Sequence, residues 1–203
     1  MSYRTLGARG EAAFEVRGSE FIGHVSPVSD VDDAEAFVAS VREAYPDATH
    51  NVPAYRVRIE SGPGGDGLLR EYENDDGEPS GSAGKPMLNV LQGRELENVA
   101  VVVTRYYGGT NLGVGGLVSA YGRATKDAID DAGVVTQVPQ SEFSVTVAYD
   151  DSGTVRSILE SADCAFEADY GEDVTFEVRV ASAERAALVD RLRSATNGRA
   201  DPE

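Results

Sequence analysis

The chain has 203 residues, 41% of them hydrophobic and 26% charged, and a formal net charge of −17. That length fits one large domain or two small ones, and the densest apolar run, Val99 to Val103, is far too short to span a bilayer. Met1 to Gly18 contain no apolar core of the secretory kind, and the one cysteine, Cys164, has no internal partner and no zinc-type neighbours. The expectation is a cytoplasmic protein with no membrane contact, no metal and no disulfide-linked partner.

The charge is the outlier. Lys85 and Lys126 are the only lysines, and the acids are spread along the chain without a terminal block. An acidic mimic of nucleic acid is one reading. The reading adopted is a solvated surface suited to high salt, where self-repulsion is screened, and so a halophilic source.

In chain order, residues 20–28 read as a strand. Ser29 or Asp30 can then cap a helix with Val31, Ala34, Phe37, Val38 and Val41 on one face, ending before Pro46. Residues 52–60 alternate as a strand, 61–67 are a turn, and 68–74 return as the hairpin partner. Residues 75–86 form a long Gly/Ser/Pro loop, and Met87 to Leu91 start a short helix. Residues 98–107 read as a buried strand, because they are almost continuously β-branched and aromatic. A helix over 117–133 carries Leu117, Val118, Tyr121, Ala124, Thr125, Ala128 and Ile129 on one stripe, with Gly133 as its stop. Residues 134–140 make a short strand and linker. The pattern then restarts: strand 143–149, a helix through Val155, Ile158, Leu159 and Ala162, strands 165–171 and 174–180, and a closing helix 183–198. This order is βαββα, so the division is 1–137 and 141–203.

Between the buried strand and its helix lie Gly108, Gly109, Gly113, Gly115 and Gly116. A strand, a glycine loop and a helix start are the parts of an anion site, since bare N–H groups converge there. Glycines at such a junction also serve steric ends alone, and both readings stand. A dinucleotide fingerprint from Gly113 fails at Val118, and the phosphate-cradling loop motif fails because Lys85 is followed by Pro86. No cofactor is expected. Arg105 should emerge at the loop mouth, free to clamp a phosphate, or should bridge to Asp75, Asp76 or Glu78. Tyr106 and Tyr107 can stack on a base or pack. His50 can act as a base or as a structural residue. Asp75, Asp76, Glu78 and Ser80 can hold Mg²⁺ or cap turns.

Four ordered blocks, "FIGHVSPV", "YPDATHNVPAY", "DDGEPSGSAGKPML" and "NVAVVVTRYYGGTNLGVGGLVSAYGRA", resemble the IMPACT/YigZ family. The resemblance implies an N-terminal α/β domain of the ribosomal-protein domain-2-like superfamily and a small ferredoxin-like domain similar to one of elongation factor G. It implies a role in translation: eukaryotic members regulate it under amino-acid starvation by binding a ribosome-associated co-activator of a kinase. RNA, ribosome or a translation-related protein is the implied partner. No enzyme activity is firmly attached to the family, and a non-enzymatic binding protein is expected. The alternative is an enzyme acting on a nucleotide or phosphorylated small molecule at the same loop. The implied surface comprises His50, Asn51, the loop Asp75 to Lys85 with Asp76, Glu78 and Ser80, then Arg105, Gly108, Gly109, Gly113, Gly115, Gly116 and Arg123. Bacterial relatives often carry Cys at position 52; Val52 here argues against thiol chemistry. From residue 141 onward there are six arginines against fourteen Asp/Glu, which offers no basic RNA-binding face; Lys85, Arg105 and Arg123 are left as a local positive pocket.

Overall fold

A computed structural model describes residues 2–59, 68–162 and 164–202. The chain divides into two compact units, one from Tyr3 to Gln137 and one from Val138 onward that also takes in Ser2. The expected turn at 61–67 lies outside the described residues.

In the first unit β1 (Tyr3–Leu6), β2 (Gly10–Val16) and β3 (Ser19–Pro27) precede α1 (Val31–Ala44). Then come β4 (His50–Ile59), β5 (Leu68–Glu73), α2 (Gly84–Gly93), β6 (Val99–Tyr106), α3 (Gly113–Ala132) and β7 (Val134–Gln137). Five strands form one antiparallel sheet in the order β2-β3-β6-β4-β5, and β1 pairs with β7 separately. All five residues from Val99 to Val103 are fully buried, as expected of a central strand covered on both faces. Val99, Val101 and Val103 meet α2 and α3 on one face; Ala100 and Val102 meet α1 on the other.

Asp30 caps α1 by accepting from the Asp33 N–H at 2.8 Å. The α3 helix lies unusually close to the sheet because Gly10 and Gly23 leave room for it: a Cβ on Gly23 would stand 2.4 Å from the Ala124 carbonyl oxygen. Two helices begin earlier than their apolar stripes: α2 at Gly84 instead of Met87, and α3 at Gly113 instead of Leu117. The first turn of α2 is Gly84-Lys85-Pro86 and that of α3 is Gly113-Val114-Gly115-Gly116, neither of which carries an amphipathic period. Sequence reading also missed β1 and β2, although Ala12, Phe14 and Val16 alternate with Glu11, Ala13 and Glu15 across β2.

The second unit contains β8 (Gln140–Ala148), α4 (Tyr149–Ser161), β9 (Ala165–Tyr170), β10 (Asp173–Ala181), α5 (Ser182–Ala195) and a two-residue β11 (Asp201–Pro202). The sheet order β11-β8-β10-β9 is antiparallel throughout. The addition of β11 completes a βαββαβ, ferredoxin-like unit where βαββα was expected. Alternate residues of β8 and β10 (Phe143, Val145, Val147, Val174, Phe176, Val178, Val180) bury against Val155, Leu159, Leu188 and Leu192 of the helices. No described helix is long and apolar enough to cross a membrane.

Candidate functional site

His50, Glu78 and Arg105 gather at the sheet end where β6 finishes and β4 begins. His50 of β4 and Phe21 of β3 both pair with Arg105 of β6. The loop 74–83 between β5 and α2 folds over this end and is fixed by its own carboxylates. Asp75 accepts from the N–H groups of Gly81 (2.7 Å), Ala83 (3.1 Å) and Gly84 (2.9 Å). It therefore caps α2 from a distance, since Ala83 at the cap position has no side chain able to do so. Asp76, at φ +49°, accepts from the Asn51 N–H at 2.8 Å and from Arg42 at 3.1 Å, and its carbonyl takes the His50 Nδ1–H at 2.6 Å. Asp75 and Asp76 thus cap turns and tie strands, the structural alternative to holding Mg²⁺. Among the described residues no cluster of three His, Cys, Asp or Glu is placed to hold a metal ion.

Glu78 is the loop's anchor. Its side chain is only 4% exposed, and Oε1 accepts from Arg105 at 2.5 Å and from the Tyr121 hydroxyl at 2.7 Å, with His50 Nε2 at 3.9 Å. Burial, and then the neighbouring Glu78 carboxylate, push the Tyr121 phenol far above its ordinary range, so it remains a donor. Arg105 does not emerge at the loop mouth. It is 5% exposed, lies between the rings of Phe21 and Tyr107 at 5.4 Å from each, and reaches Ser19 Oγ at 3.4 Å. Its Nε alone finds no acceptor. The expected bridge to Asp75, Asp76 or Glu78 is realised, with Glu78 as partner; the free phosphate clamp is not.

The local positive pocket that the sequence left open around Lys85, Arg105 and Arg123 does not form either. Arg105 is buried and neutralised by Glu78, and Arg123 lies 4.1 Å over the Phe14 ring and pairs with Asp127 at 3.2 Å. Lys85 is exposed in the first turn of α2, and Ser80 is exposed on the loop.

The five glycines separate by role. Gly108 touches backbone: a Cβ there would sit 1.9 Å from the Gly18 carbonyl, and its N–H donates to Ser19 Oγ at 3.1 Å. A Cβ at Gly116 would press on Leu112 at 2.9 Å. Gly109 (φ +84°) and Gly113 (φ +75°) supply left-handed backbone and face open space, and Gly115 faces open space as well. The α3 N-terminus has no side-chain cap and no acid in its first turn. Exposed Tyr107, Val114 and Val118 flank it.

A second polar chain, of which only Asn51 was a candidate from the sequence, runs on the sheet face toward α1. His24 Nδ1 lies 3.0 Å from Glu11 Oε2, Thr104 Oγ1 lies 3.3 Å from His24 Nε2, and Thr104 donates to Asn51 Oδ1 at 2.7 Å. Asn51 Nδ2 donates to the Tyr45 carbonyl at 3.0 Å. Burial lowers the His24 pKa, with Glu11 opposing. The only sequence signal was that Thr104 and His24 are polar residues inside otherwise apolar strands.

These features define a two-domain α+β protein whose larger unit holds a hydrogen-bonded loop beside a bare, glycine-rich helix start. A family model described as the Impact N-terminal domain matches residues 17–129, and one described as a domain of unknown function (DUF1949) matches 145–199. The chain belongs to the IMPACT family. The IMPACT family member YvyE of Bacillus subtilis is 37% identical over 201 residues, spanning 98% of this chain and 89% of that protein. IMPACT family member YigZ of Escherichia coli is 34% identical over 185 residues, 91% of this chain and 88% of that one. Protein IMPACT of Rattus norvegicus is 37% identical over 99 residues, 48% of this chain and 29% of its own length. A solved structure described as a hypothetical protein superposes with a TM-score of 0.67 at 32% identity, covering 99% of this chain and 96% of that one.

Proposed function

We propose that the chain is a translation-associated regulatory binding protein whose working surface is the open glycine stretch Gly109–Gly115 with Tyr107, Val114 and Val118. Family membership supports the regulatory binding role. The observation that carries the surface assignment is the division of labour among the candidates. The carboxylates of Asp75, Asp76 and Glu78 are engaged in holding the loop and the Arg105 guanidinium, whereas the glycine backbone at 109, 113 and 115 faces open space. Such a surface is built for contact more than for acid–base chemistry.

The charge favours a protein component of the translation apparatus over naked RNA. The net charge is −17, and the arginine nearest the loop is neutralised by Glu78. Gly115→Glu tests the surface without touching the fold, since nothing lies within 4 Å of a Cβ there. Co-sedimentation with ribosomes should be lost in this variant and survive nuclease trimming of exposed RNA in the wild type. Equal sedimentation of a folded Gly115→Glu protein would refute the assignment.

A second reading keeps the uncapped α3 N-terminus as a site for a nucleotide or phosphorylated small molecule, with enzymatic turnover. Binding of Mg-ATP by the full chain, abolished by Gly115→Glu, would favour it over the first.

A further inference from the structure

The α1 helix covers only part of its side of the large sheet, packing on Tyr55, Val57, Ala100 and Val102 of β4 and β6. Among the described residues, none of the helices of this unit packs over the rest of that face, on β2 and β3. Its side chains follow from the register: Glu11 opposite His24, Ala13 opposite Ile22, Glu15 opposite Glu20, and Glu20 opposite Tyr106 of β6. Glu11, Ala13, Glu15 and Glu20 are exposed. Tyr45 at the end of α1 forms a wall, its ring 4.9 Å from that of His24, and the Tyr106 hydroxyl donates to Asp47 at 3.2 Å.

Two carboxylates directly opposed across a strand pair repel one another, an arrangement that costs stability unless a cation joins it. Glu15 and Glu20 form such a pair, while Glu71, Glu78 and Glu97 in the same unit each have an arginine partner. The field is felt by the neighbouring phenols. Burial and then Glu11 and Glu20 raise Tyr45; burial, the Asp47 hydrogen bond and Glu20 raise Tyr106.

We propose that this uncovered face docks a basic polypeptide segment, its Lys or Arg side chains lying between the carboxylates of Glu11, Glu15 and Glu20 and over the rings of Tyr45 and Tyr106. Charge complementarity selects the occupant. The carboxylates repel nucleic acid and a second copy of this acidic chain alike. Glu11 and Glu15 stand about 13 Å apart along β2 at the usual rise per residue, which suits several cations on one segment better than a single ion. Tyrosine faces add cation–π attraction for the same groups. This surface is on the opposite side of the sheet from α3 and stands independently of the glycine-surface reading.

The second unit supplies its own control. Glu167 and Glu177 are likewise exposed and directly opposed, but the neighbouring outward positions hold Ser144, Thr175, Asp169 and Arg179, the last paired with Glu142, and no tyrosine. The test is anisotropy of a labelled 18-residue Lys/Arg/Ala helical peptide with the full chain, beside a Glu/Ala peptide of the same length. The basic peptide should bind and the acidic one should not. Glu15→Gln/Glu20→Gln should weaken binding by about tenfold, and Glu167→Gln/Glu177→Gln, with the same change in net charge, by less than about twofold. As a check on folding, the first variant should melt no lower than wild type in dilute buffer. Equal weakening by both pairs, or no binding of the basic peptide by the wild type, would overturn the proposal.

Discussion

Glu78 and Arg105 are both withdrawn from water, and they share a carboxylate oxygen with Tyr121. Removing one partner of a buried ion pair leaves an uncompensated charge, a loss of about 3–5 kcal/mol. Glu78→Gln should therefore lower unfolding stability by that order in urea titration, and Glu78→Gln/Arg105→Met should recover part of it. A double variant as unstable as the single one would show that the pair is not the loop's anchor. The glycines make a sharper contrast at the same scale. Gly115→Ala fills open space at a helix position and should stabilise by about 0.5–1 kcal/mol. Gly108→Ala forces a methyl into the Gly18 carbonyl and should destabilise. Thermal melts of the two variants should move in opposite directions; a rise for both would contradict the close contact of backbone with backbone at Gly108.

At the scale of elements, β3, β6 and β4 share one buried imidazole through the Glu11–His24–Thr104–Asn51 chain. The folded-state pKa of His24 is lowered by burial, so the folded protein binds its proton less readily than the unfolded chain. The stability this contributes is fully present above the unfolded value of about 6.5 and is lost as pH falls through the folded value. Urea midpoints should therefore decline from pH 7.5 to 5.5, and His24→Gln should flatten the decline; an unchanged slope in that variant would remove His24 as its cause. The elements themselves were largely legible. Strand β6 announces itself through unbroken β-branched residues, and α1 through Asp30 and its apolar face. The site was legible only as a set of residues. His50, Glu78 and Arg105 do converge, with Asn51 joined to the loop only through its backbone N–H, but the sequence left Arg105 a choice between an open clamp and a buried bridge. Its outcome depends on Tyr121 and Phe21 closing over it from two other elements, and no local pattern carries that information. The starts of α2 and α3 were hidden for a related reason: Asp75 caps α2 from nine residues before Gly84, and α3 opens on glycines.

At the scale of the whole molecule, a net charge of −17 on a 203-residue chain sets a salt dependence. Self-repulsion among exposed carboxylates weakens as the Debye length shrinks, from about 10 Å at 0.1 M salt to about 3 Å at 1 M. The melting temperature should rise between dilute buffer and molar KCl, and an unchanged value would sink the reading of the acidic surface as salt adaptation. The bare glycine surface at the β6–α3 junction is the proposed meeting point with the translation apparatus. Hydrogen exchange on the full chain, with and without ribosomes in molar KCl, tests this most directly. New protection of the backbone amides from Gly109 to Val118, at the uncapped start of α3, is expected, together with its loss in Gly115→Glu. Ribosome-dependent protection confined to other segments, or none at any ribosome concentration, would contradict it.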